Sequence, residues 1–93
     1  MTGSTKFALI LIYSNSNQQS LRARVAVNEF MNEHHARTEI SVREVDFERD
    51  KSVANEFNVL GTPTTLIFKD DKLVKRHLGE VTSDELQTMI EKL

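Results

Sequence analysis

Phe7-Ala8-Leu9-Ile10-Leu11-Ile12-Tyr13 is apolar at every position. A strand with one solvated face alternates apolar and polar residues. An unbroken apolar run therefore predicts a strand buried on both faces, as in a parallel sheet with helices on each side. The run is too short to span a bilayer. It also lacks the basic flank and small-residue cleavage site of a signal peptide.

The elements that follow supply the layers such a strand needs. Ser14-Asn15-Ser16-Asn17-Gln18-Gln19-Ser20 is wholly polar, suited to turn or N-cap chemistry. Leu21 to His35 reads as a helix, with Ala23, Ala26, Val27, Phe30, Met31 and His34 at helical spacing. Ile40, Val42, Val45 and Phe47 predict a second strand, parallel to the first across a helical crossover. Asp50 to Phe57 reads as a short helix capped by Asp50 or Ser52, with Asn58 as a left-handed stop. Thr64 to Lys69 and Lys72 to Leu78 read as an antiparallel hairpin turning at Asp70-Asp71, and Gly79 breaks it. Thr82 and Glu85 predict a capping box for the last helix. Val81 and Leu86 predict its hydrophobic staple, and Leu86, Met89, Ile90 and Leu93 its apolar stripe. The expected order is β-α-β-α-β-β-α in one α/β domain over residues 1–93, with the polar start Met1 to Lys6 loose.

Composition narrows the function. The formal net charge of −2 argues against a nucleic-acid binder, which needs a basic face for phosphates. No membrane partner is implied. With no cysteine, no disulfide marks the chain as secreted, and cytoplasm is the default compartment. Gly61-Thr62-Pro63 holds the only proline, placed to open a strand. Proline there suits a rigid, often cis, turn facing a site.

The element order together with Asp46, Phe57-Asn58-Val59, Gly61-Thr62-Pro63-Thr64, Phe68-Lys69 and Gly79 resembles the thioredoxin family. Residues 42–93 carry most of the resemblance. It implies a minimal thioredoxin-like fold: a four-stranded mixed sheet with helices on both faces. In that family a Cys-x-x-Cys motif opens the helix after the central strand. The first cysteine attacks a disulfide, its pKa lowered by the helix N-terminus, and the second resolves the intermediate. The resemblance places Asn17-Gln18-Gln19-Ser20 at that motif. Asn17 then stands for the nucleophile and Ser20 for the resolving cysteine. Ser16 stands for the preceding tryptophan, Leu11 for the buried aspartate, Glu44 for its lysine neighbour and Val25 for the helix-bending proline. Thiol–disulfide exchange is not expected.

Other groups have two readings each. Asn17–Ser20 suits ordinary capping, or an anion or carboxylate held by backbone N–H groups. Ser20 lacks a nearby histidine to serve as a nucleophile's base. His34 and His35, adjacent on a helix, point about 100° apart and are poorly placed to share a metal ion. Glu44, Asp46, Glu48 and Asp50 read as solvated carboxylates rather than an ion loop. Arg22, Arg24, Arg43, Lys69, Lys72, Lys75 and Arg76 read as solvated faces. Gly79, Thr82, Ser83 and Asp84 stand where glutaredoxin-like domains hold the γ-glutamyl end of glutathione, but capping also explains them.

The expected function is a redox-inactive thioredoxin-like domain without cofactor or metal. It would bind a protein or peptide partner between Tyr13–Ser20 and Thr62-Pro63-Thr64. The alternative is a glutathione-binding or transferase-like enzyme using the hydroxyl of Ser20 or Tyr13.

Overall fold

The computed structural model describes residues 6–34 and 39–93; residues 1–5 of the polar start, and His35, lie outside them. The elements are β1 (Phe7–Tyr13), α1 (Gln18–His34), β2 (Ile40–Asp46), α2 (Lys51–Glu56), β3 (Thr64–Lys69), β4 (Lys72–Leu78) and α3 (Ser83–Glu91). They form one mixed sheet in the order β2-β1-β3-β4. β1 pairs parallel with β2 and antiparallel with β3, which pairs antiparallel with β4.

The apolar run takes the interior place its composition demands. Leu9 and Leu11 face α1 and α3, packing with Ala23, Val27, Phe30, Ile67 and Leu86. Ile12 faces the opposite way, toward Val45, Val53, Val59 and Leu66 under α2. Fully burying one such aliphatic side chain contributes about 2 kcal/mol, so this two-sided core dominates the favourable side of folding.

Local chemistry sets the element ends. Asp50 caps α2 by accepting from the Ser52 N–H, and Asn58, at φ 55°, stops it. Asp70 and Asp71 both have positive φ, the conformation a two-residue hairpin turn requires. Gly79 sits at φ +110°, where a side chain is strained. The Thr82–Glu85 capping box is complete, and Val81 and Leu86 are both buried.

One boundary differs from the sequence reading. Helix α1 begins at Gln18 rather than Leu21. Gln18, Gln19 and Ser20 are its first turn, and Asn17 is its cap. Apolar periodicity starts late because Gln18 and Gln19 face solvent and the inward residue of that turn is a serine.

Candidate functional site

Asn17 joins two elements far apart in sequence. Its Oδ1 accepts from the Ser20 N–H at 2.7 Å, which caps α1. This orients the amide so that its Nδ2 points across to the proline loop. There it donates to Thr62 Oγ1 at 3.0 Å and lies 3.5 Å from the Thr62 carbonyl oxygen. The start of α1 and the loop before β3 are therefore in contact.

The proline loop is held from several sides. The Thr62–Pro63 peptide bond is cis. Thr64 Oγ1 donates to the Gly61 carbonyl at 2.7 Å, and the Gly79 N–H donates to the Pro63 carbonyl at 2.8 Å. Thr64 and Pro63 are buried, and Thr62 is half-buried. Among the described residues the Thr62 N–H has no hydrogen-bond partner. Beside the loop lies a concavity of about 220 Å³ lined by Leu60, Gly61, Arg76 and Leu78, with Val59 and Thr64 behind them. Leu60 is 95% exposed and Leu78 69%. Gly61 suits its place because a Cβ there would stand 3.3 Å from Leu78 Cδ1.

Of the four residues at the start of α1, Gln18 and Gln19 are exposed and Asn17 is half-buried. Ser20 is fully buried, and its Oγ accepts from the Ser14 N–H at 2.9 Å. The expectation that Ser20 presents a hydroxyl to a ligand is corrected here: that oxygen faces inward and is already engaged. Tyr13 is half-buried, its ring under the Arg24 guanidinium at 4.2 Å.

The acidic stretch on β2 and the loop after it is structural. Glu44 pairs with Arg24 at 3.1 Å. Asp46 accepts from the Glu48 and Arg49 N–H groups and from Asn15 Nδ2. Glu48 accepts from Ser14 Oγ at 3.1 Å. Asp50 caps α2, and its hydrogen bonds from Ser52 hold its carboxyl below the usual range. Among the described residues no cluster of side chains could hold a metal ion. None of their helices is long and apolar enough to cross a membrane.

A second pair ties α1 to the loop after β4. Arg22 meets Glu80 in a fork, at 2.6 Å and 2.9 Å. The hydrogen bond from Arg22 holds the Glu80 carboxyl below its usual range. Thr82 is committed to the capping box, and Ser83 Oγ donates to Glu33 at 2.6 Å.

The thioredoxin family model matches residues 14–92, nearly the whole fold from the end of β1 onward. The chain belongs to the thioredoxin family. Solved structures, two of them thioredoxins, agree with it in shape. Malaria-parasite thioredoxin-2, described as a component of the parasite's protein secretion machinery, superposes with a TM-score of 0.88 at 19% identity, covering 96% of this chain and 84% of that one. A second malarial protein gives a TM-score of 0.85 at 20% identity, covering 94% and 96%. A mutant thioredoxin of Halobacterium salinarum gives 0.83 at 22% identity, covering 95% and 74%. No curated protein matches the chain in sequence.

Within this thioredoxin domain the positions that the resemblance assigns to exchange chemistry are occupied by groups with other bonds. Asn17 and Ser20 are locked as described. Leu11 is fully buried in the apolar core, and its β2 partner Glu44 is paired with Arg24. Val25 is 58% exposed and leaves α1 continuous from Gln18 to His34. With no cysteine in the chain, there is no thiolate to attack a disulfide.

Proposed function

We propose that this domain is a redox-inactive thioredoxin that binds an extended protein or peptide segment between the start of α1 and the proline loop. Asn17, Gln18 and Gln19 form one wall, and Thr62 with the backbone around Pro63 and Thr64 forms the other. Ser20, buried, supports the first wall from behind. The supporting observation is the Asn17–Thr62 bridge, which sets the two walls side by side with the Thr62 N–H unpaired. An extended backbone would accept that hydrogen bond, while Leu60 and Leu78 offer apolar contact beside it. The buried, engaged Ser20 hydroxyl weighs against the hydroxyl-based transferase reading.

The test is a selection from a displayed peptide library, counter-screened on Leu60→Glu. The enriched peptides are then mapped by amide NMR beside a titration with reduced glutathione. The expected result is peptides that shift Gln18, Gln19, Gly61, Thr62 and Gly79 and lose binding on Leu60→Glu. Peptides indifferent to the substitution, or no enrichment, refute the reading. Saturable shifts with glutathione at Asn17–Ser20 and Gly79–Asp84 would establish the glutathione reading instead.

A further inference from the structure

β4 is the edge of the sheet, and its two faces differ in chemistry. Its register with β3 shifts between Ile67 and Phe68, which leaves Val74 as the bulge residue and assigns the other six side chains. Lys72 stands opposite Lys69, Lys75 opposite Ile67 and His77 opposite Thr65, which places all three on the face that carries α1 and α3. Leu73 stands opposite Phe68, Arg76 opposite Leu66 and Leu78 opposite Thr64, on the α2 face. Neither set of helices reaches over this strand, so every β4 residue except the half-buried His77 is exposed. The strand holds Lys72, Lys75 and Arg76 and no carboxylate, a formal +3 within a chain of net −2. Among the described residues Lys72 and Lys75 have no ion-pair partner. Arg76 is spent on the Phe57 carbonyl at the end of α2.

We propose that the outer edge of β4 takes an extended segment of another protein whose side chains alternate acidic and apolar. Strand addition would satisfy the unpaired edge of the backbone. Because successive residues of the added strand point to opposite faces, its acidic residues meet Lys72 and Lys75 while its apolar residues meet Leu73 and Leu78. The same charges select against a second copy of this chain. Two β4 strands paired antiparallel would set lysine against lysine, and like charges directly opposite are destabilising. The surface shares Leu78 with the concavity beside the Asn17–Thr62 site, but Lys72, Leu73 and Lys75 lie outside that site, so either can fail alone.

The probe is a terminally blocked peptide of alternating glutamate and leucine matched in length to β4, with a lysine-for-glutamate counterpart as control. Each is titrated against the isotope-labelled full chain at low salt, and amide shifts are read by residue. The expected result is saturable shifts confined to Lys72–Leu78 with the glutamate peptide, weakened by salt and absent with the control. Lys72→Glu with Lys75→Glu weakens the binding roughly tenfold or more, while far-UV circular dichroism and Tm stay unchanged, since both side chains are exposed. Absence of shifts on β4, equal shifts with the control, shifts confined to Asn17–Ser20 and Thr62–Thr64, or a β4-mediated dimer of the chain would each overturn the proposal.

Discussion

Replacing Asn17 separates its two jobs. Asn17→Ala removes the N-cap, which costs about 1 kcal/mol. It also removes the donor to Thr62, a partly buried hydrogen bond that contributes about 1 kcal/mol. The total is about 2 kcal/mol, or roughly 10 °C in Tm for a domain of this size. Asn17→Ser keeps a capping oxygen but cannot reach Thr62, so it loses only the second half, about 1 kcal/mol. Thr62→Val deletes the acceptor and should cost nearly nothing further in the Asn17→Ala background. That non-additivity measures the bridge itself, at about 1 kcal/mol. Urea unfolding of the four variants at constant m gives all these values. If Asn17→Ser is as unstable as Asn17→Ala, or if Asn17→Ala and Thr62→Val add fully, the bridge carries no energy and the reasoning is refuted.

Ser20→Ala leaves the buried Ser14 N–H without its acceptor and should lose about 1–3 kcal/mol in urea unfolding, although serine-to-alanine removes only one atom. The depressed Glu80 carboxyl contributes stability that is present above its ordinary value of 4.5 and is lost as pH falls through its lower folded value; Arg22→Ala should flatten the urea midpoint against pH across that window, more visibly at low salt. Leu60→Ala should leave Tm within about 2 °C of wild type, because the side chain is 95% exposed, yet weaken any peptide selected at the Asn17–Thr62 site. Leu11→Asp places a carboxyl in an apolar core without a partner, where burial raises its pKa; stability should fall further as pH rises from about 4 to about 7, read as a declining Tm.

Most of the frame was legible because it rests on short-range signals. The Phe7–Tyr13 run, the Thr82–Glu85 box, the Asn58 stop and the Asp70-Asp71 turn each declare themselves within a few residues. The start of α1 did not, since its first turn exposes two glutamines and buries a serine. The Asn17–Thr62 bridge was not legible either. It joins residues separated by 45 positions, and nothing in either local sequence announces it. Ser20 fits the same pattern: its type suggested a reactive or ligand-facing hydroxyl, but its direction follows from the packing of α1 against the end of β1. β4 had the composition of a strand, but its exposure depends on where α1, α2 and α3 stop short of the edge.

The residues at the positions that the family resemblance assigns to exchange chemistry form a consistent set. A buried carboxyl at position 11 would need a proton path and a polar neighbour; Leu11 instead packs with Ala23 and Leu86. The partner across β2, Glu44, is turned to Arg24, which also covers the Tyr13 ring. Asn17 and Ser20 each gain a backbone hydrogen bond that fastens the start of α1. Every one of these groups now holds structure, and none of them faces solvent as an activated acid, base or nucleophile. Among the described residues, Thr65 Oγ1 is buried without a hydrogen-bond partner, and nearer the surface stand the unpaired Thr62 N–H, the exposed Leu60 and Leu78, and the lysines of β4 without ion-pair partners. Solvation or a partner can satisfy surface groups of that kind, and exposed apolar side chains beside an open backbone donor favour a partner. These surface groups are the ones that the proposed docking of a partner would use.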